Sequence, residues 1–188
     1  MQAAAAALDA RLRTEDAADG GIIAAMRALA GADADTIFTA LSPWLTDHRW
    51  VQRRLAAALE LCAAEPFAMP PLRMFGGEAF GGLILAEVPP ITLSLMIRPF
   101  NQPAPPAASI IFLPGHGLTH FVRSGGARIQ RYGVALNEAE RGGGFRASAA
   151  APMTLIDQAP LADGASIRVD QQCESINIIG GDGDLVML

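Results

Sequence analysis

The chain has no lysine. All 14 of its basic residues are arginine, set against 19 acidic ones for a net charge of −5. Non-specific nucleic-acid binding needs clustered Lys/Arg. The tightest basic group here is Arg49, Arg53 and Arg54, followed by the separate pair Arg128 and Arg131, and neither is a polybasic tract, so no nucleic-acid partner is expected. Cysteine is scarce. Cys62 and Cys173 are too few and too far apart for a disulfide scaffold or a four-cysteine zinc site. They read as reduced thiols, and a cytoplasmic location is expected. No run of 18 apolar residues occurs, so no membrane-spanning helix is expected. Met1-Gln2 and five alanines meet Asp9 early, unlike the basic start and longer apolar stretch of a secretory signal. The Gly-x-Ser-x-Gly elbow of hydrolases is missing, and without lysine no Walker phosphate loop exists.

What is present suits a folded domain. The 188 residues, 19.7 kDa, match one domain of roughly 150 residues with a helical extension. Apolar residues make up 51% and charged ones 18%, which argues against disorder. Such a chain buries a substantial core without a disulfide or metal.

The pattern changes near residue 66. Before it, apolar spacing is helical. Residues 3–13 carry Leu8 and Leu12 four apart, and Gly20-Gly21 interrupts. Ile22, Ile23, Met26 and Leu29 follow, with Gly31 as a stop. Asp35 is the expected cap of a short helix carrying Ile37, Phe38 and Leu41, and Ser42-Pro43 the start of a separate turn. The clearest helix spans 47–63, with Asp47 as N-cap and Trp50, Val51, Leu55, Ala58, Leu59 and Cys62 as its apolar stripe. Trp44, Trp50 and Phe38 read as anchors of the helices, and His48 as a residue of the capping region.

Pro66, Pro70 and Pro71 break the helical pattern, and the apolar burst Leu83–Leu85 ends at Pro89-Pro90. Thr92–Arg98 then alternates like a strand, with Leu93, Leu95 and Ile97 on one face. Residues 101–108 are a loop, since prolines cannot pair within a sheet. Short strands are expected at Ser109–Leu113, Leu118–Arg123, Arg128–Val134, Met153–Ile156, Ser166–Asp170, Ser175–Ile179 and Leu185–Leu188. The glycine pairs and triples between them, including Ser124-Gly125-Gly126, Gly142–Gly144 and Asp163-Gly164, are turns. Short strands at this spacing predict an antiparallel sandwich or barrel.

The second half resembles the cupin superfamily. His120–Tyr132 (HFVRSGGARIQRY) is similar to the strand–Gly–strand turn of the first cupin motif, and Leu161–Leu188 (LADGASIRVDQQCESINIIGGDGDLVML) to the second. The resemblance covers about residues 91–188, and the helical segment ahead of it is similar in layout to cysteine dioxygenase-type cupins. It implies an α+β, mainly β, chain: a helical segment over 1–65 packed on a cupin-like antiparallel β-barrel or jelly roll over 66–188.

The family's metal ligands are largely replaced. With His116 at the second His of the first motif, Pro114 takes the first His and His120 the Glu, while Ala127 takes the last Gly. In the second motif Gly164 matches, but Asp170, Gln172, Ser175 and Ile179 stand where Pro, Gly, His and Asn belong. The resemblance therefore leaves His116 and His120 as the candidate metal ligands. They share one ion only if the backbone folds at Gly115 and Gly117, because four strand residues span about 13 Å whereas ligands of one zinc ion sit about 3–4 Å apart.

Arg98, Arg123, Arg128 and Tyr132 are the candidate ligand-binding residues, since arginines at a barrel mouth hold carboxylate or phosphate by paired bonds. Cys173 shares a strand face with Ser175, opposite Glu174, and near a histidine it is a candidate nucleophile or ligand. Cys62 reads as packing. Two functional readings follow. The first is a degenerate cupin that binds a small molecule or a partner protein and carries no cofactor. The second is a metal-dependent oxygenase, such as a thiol dioxygenase-like enzyme, using Fe, Zn, Ni or Mn. A homodimer is a third expectation, because an apolar strand edge is a liability unless covered.

Overall fold

The structure is a computed structural model and describes residues 2–77, 80–99, 110–144 and 151–188. The expected 101–108 loop and Ser109 lie outside the described residues. The architecture is α+β, with four helices followed by antiparallel strands. The chain divides into two compact units, residues 1–96 with Leu188, and residues 97–187.

The first unit opens with α1 (Gln2–Ala17) and α2 (Ile22–Ala28), parted at Gly20-Gly21. α3 (Ala34–Thr46) is capped by Asp33, whose carboxylate accepts from Thr36 N at 2.8 Å. The cap is thus not Asp35, because only a residue just outside the first turn reaches that N–H. Nor does Pro43 start a new turn. It lies inside α3, where the Ser42 hydroxyl bonds back to Phe38 O at 2.7 Å. α4 (Arg49–Ala64) starts two residues later than expected, with His48 at the cap position. Asp47 still serves the helix start by accepting from Arg49 N at 3.2 Å and from the Arg49 guanidinium.

The buried stripe of α4 is Trp50, Val51, Arg54 and Ala58. Leu59, expected in the stripe, is 69% exposed. The helix is rotated because Arg54 turns inward, donating to the Asp16 carboxylate and to the Leu85 carbonyl. Its guanidinium also stands 5.9 Å from the centre of the Trp50 ring, within cation–π range. Trp50 meets Trp44 edge to face at 5.9 Å and donates to the Trp44 carbonyl. Ile22 and Met26 of α2 are buried with Leu8 and Leu12 of α1.

Strand β1 (Arg73–Gly76) is one the sequence pattern does not announce. It pairs antiparallel with β2 (Gly81–Val88), Arg73 opposite Ile84. β3 (Ile91–Arg98) is the next neighbour in the sheet. Leu93 and Leu95 are buried as the alternation requires, while Ile97 is exposed.

In the second unit, β4 (His116–Arg123) lies between β7 (Ser166–Asp170) and β9 (Leu185–Met187). A separate sheet has β5 (Arg128–Gly133) between β6 (Thr154–Pro160) and β8 (Glu174–Ile179). All these pairings are antiparallel. Phe121, Ile129, Leu161, Val169, Ile178 and Leu185 supply the core, Phe121 and Leu185 being fully buried.

Among the described residues the sheets are not closed into the expected barrel. The Ser124-Gly125-Gly126 turn is a corner between two sheets rather than a hairpin, since β4 and β5 do not pair. Gly125 and Gly126 both take positive φ, 58° and 71°, and a Cβ at Gly125 would meet Gly183 O at 2.3 Å. That corner accepts only glycine. Asp163 braces it, accepting from Ser124 N at 2.7 Å and from its hydroxyl at 2.6 Å.

Some expected boundaries shift, while the Gly142–Gly144 turn is found as a turn. Residues 110–113 form no strand; the segment is tied instead by Leu113 N to Gln171 O at 3.0 Å and by the Ser175 hydroxyl to Ile111 O at 2.7 Å. β6 is longer than the Met153–Ile156 reading and forms a sheet edge on which Leu155 and Ile156 are about half exposed. Gly142–Gly144 falls in a short π-type turn, Glu140–Gly144.

Three carboxylates of these turns and caps titrate below the usual 3.8. Asp47 falls to about 2, chiefly because the Arg49 guanidinium hydrogen-bonds it. Asp33 is lowered by its bonds from Thr36, and Asp163 by those from Ser124. Asp16 moves the other way, raised first by burial and only partly countered by Arg54. A lowered folded-state value stabilises above the unfolded value and loses that contribution as pH falls through the folded one. The denaturant midpoint is therefore expected to decline from about pH 4 to about pH 2, and Asp47→Asn to flatten part of that decline. The raised value of Asp16 acts in the opposite sense, contributing below its unfolded value and losing that contribution as pH rises. Urea titrations across this range check the balance.

Candidate functional site

The second unit gathers chemistry at the turn from β7 to β8. Cys173 N bonds Asp170 O at 3.1 Å, and the Asp170 side chain accepts from Gln172 N at 3.3 Å. Aspartate at the first position of a turn does this routinely. The antiparallel register of β4 and β7 sets His116 opposite Asp170. His116 Nδ1 lies 3.8 Å from Asp170 Oδ1, and Arg141 Nη1, from the π-type turn, lies 3.8 Å from Oδ2. The Cys173 thiol donates to the same Oδ2 at 3.3 Å. One carboxylate thus faces an imidazole, a guanidinium and a thiol.

The arrangement keeps Cys173 protonated. Burial pushes its thiol up from 9.0, the Asp170 carboxylate adds to the shift by hydrogen bond and by charge, and Arg141 counters only part. The nucleophile is the thiolate, so a nucleophilic role for Cys173 has no electrostatic support at neutral pH. In a Cys62→Ala background, iodoacetamide is expected to alkylate Cys173 more slowly than free cysteine. Asp170→Asn is expected to speed that alkylation several-fold, and mass-spectrometric time courses at neutral pH measure both.

Beside this cluster is a cavity of about 340 Å³, walled by Phe112, Leu113, Pro114, Val134, Leu136 and Met153, with Glu140, Arg141 and Gln172 as its polar lining. That volume lies within the roughly 300–1,000 Å³ of small-molecule pockets. Glu140 is engaged locally, accepting from Asn137 N at 2.9 Å. Arg141 joins the cavity to the Asp170 cluster. A second cavity of about 340 Å³ opens among β4, β7 and β8 and is more polar, with Gln171, Glu174, Ser175 and Asn177 in its wall. Glu174 there pairs with Arg131 at 2.9 Å.

The candidate residues from the sequence fall in different places. His116 and His120 share a face of β4, but the strand runs unbroken through Gly117, so about 13 Å of chain separates them. His120 is buried with Nδ1 at 2.9 Å from the Ser166 hydroxyl. The two imidazoles do not fit around one ion, and among the described residues no group of three His, Cys, Asp or Glu side chains is placed to hold one. Arg98 donates to Ile178 O at 3.1 Å. Arg123 and Arg128 sit at the strand ends flanking the Gly125-Gly126 corner. Tyr132 donates to Gln130, which also accepts from Asn177 and donates to Gln158 across the sheet. None of these four lines either cavity of the unit.

Asp170, Arg141 and Gln172 are functional candidates that sequence reasoning missed. The Asp-x-x-Cys spacing of a tight turn was the one available signal. Comparison with family models, with curated proteins and with solved structures finds no match.

Proposed function

We propose that the second unit is a cupin-like small-molecule-binding module that works without a complete metal site. The observation that supports this most is the apolar cavity walled by Val134, Leu136 and Met153 and edged by Arg141. Pockets of this make-up bind apolar bodies, and their few polar groups orient them. The metal-dependent oxygenase reading lacks a donor set among the described residues. The occupant is an apolar molecule with one polar end toward Arg141 and Gln172. Nile red, neutral and apolar, is a suitable probe. Wild-type protein is expected to enhance its emission saturably at one equivalent. Leu136→Asp puts a charge in the apolar wall and is expected to weaken binding at least tenfold, in line with the cost of an unpaired buried charge. No saturable enhancement, or equal binding by Leu136→Asp, would contradict the proposal.

A further inference from the structure

The first unit holds a separate cleft of about 480 Å³ between α1, α2, α4 and the β1–β2 pair. Arg13, Arg27, Arg54 and Arg73 line it, against Asp9, Asp16 and Glu87, an excess of one positive charge in a chain of net charge −5. Three of the arginines are matched: Arg13 by Asp9 at 2.8 Å, Arg73 by Glu87 at 2.7 Å and Arg54 by Asp16. Arg27, on the last turn of α2, is exposed and has no ion pair among the described residues. Arg54 is only 8% exposed, and its Nε has no hydrogen-bond partner among the described residues. Donors therefore outnumber acceptors around the cleft. The rest of the wall includes Leu12, Ile23, Ile84 and Val88.

We propose that this cleft binds a small organic carboxylate, its head on Arg27 and its hydrocarbon tail along the apolar wall. Guanidinium pairs carboxylate through parallel N–H···O bonds. A neutral ligand leaves Arg27 unmatched, and a cation meets the charge excess. The site is distinct from the cavity of the second unit in place and in chemistry.

Tryptophan emission reads it selectively, because Trp44 and Trp50 both belong to the first unit and Arg54 lies over the Trp50 ring. The full chain is titrated with octanoate and, in parallel, with uncharged octanamide. Octanoate is expected to shift the emission saturably and to bind at least tenfold tighter than octanamide. Arg27→Gln, at an exposed position, is expected to weaken octanoate about tenfold, the loss of about 1.4 kcal/mol, and to leave octanamide unchanged. Circular dichroism verifies that the variant is folded. Failure to saturate, equal affinity for the two probes, or unchanged octanoate binding by Arg27→Gln would each overturn the proposal.

Discussion

Replacing Phe121 by alanine is expected to destabilise the protein by about 3–5 kcal/mol, the range for a fully buried phenylalanine truncated in a core. Phe121 has no exposed surface, and its backbone is pinned to the Gly164–Ala165 segment by both its N–H and its carbonyl. Its N–H bonds Ala165 O at 2.8 Å, and its carbonyl accepts from Gly164 N at 2.7 Å. The strand therefore cannot slide to fill the void, so the cavity term adds to the lost transfer energy. Phe121→Leu keeps most of the volume and is expected to cost less. Urea unfolding followed by circular dichroism measures both. A loss under about 1 kcal/mol for the alanine variant would show that the core is not packed as described.

The second large effect belongs to the Asp16–Arg54 pair. Asp16→Ala leaves the Arg54 guanidinium buried with the Leu85 carbonyl as its one remaining acceptor among the described residues. Removing one partner of a buried ion pair costs about 3–5 kcal/mol. The raised pKa of Asp16 points the same way, since burial outweighs even its arginine partner in setting the charge on the carboxylate. The pair is thus costly to break rather than a source of surplus stability. The double variant Asp16→Leu with Arg54→Met is expected to be more stable than Asp16→Ala alone, because it removes both charges from the interior. A double variant as unstable as the single one would mean that Arg54 acts through packing on Trp50 instead.

Much of the fold was legible because its signals are local. Alternation placed β3, turn-punctuated spacing placed β7, the Gly20-Gly21 break parted α1 from α2, and glycine turns marked the corners of the second unit. Two readings failed, and a third stayed incomplete, for want of non-local information. Leu59 looked like a core residue of α4, but the helix rotates to bring Arg54 to Asp16, which is 38 residues away. Ser109–Leu113 reads as a strand because a short apolar run does not show whether it pairs, yet its described residues, 110–113, form none. Ser124-Gly125-Gly126 reads as a turn and is one, yet sequence does not say whether a turn joins neighbours or switches sheets.

The candidate site was less legible for the same reason. His116 and Cys173 were singled out from their chemistry, but 57 residues separate them. Only the β4–β7 register brings Asp170 between them, and Arg141 arrives from a turn with no motif of its own. The His116–Asp170 contact depends on strand pairing, which periodicity leaves open, whereas Cys173 meets Asp170 within a local turn.

The proposed function requires a preformed apolar pocket in the second unit. Methyl chemical-shift mapping with Nile red tests it most directly. Saturable shifts at one equivalent, confined to Leu113, Val134, Leu136 and Met153, are the predicted result. Shifts spread over the exposed β6 residues Leu155 and Ile156, or none that saturate, would contradict it.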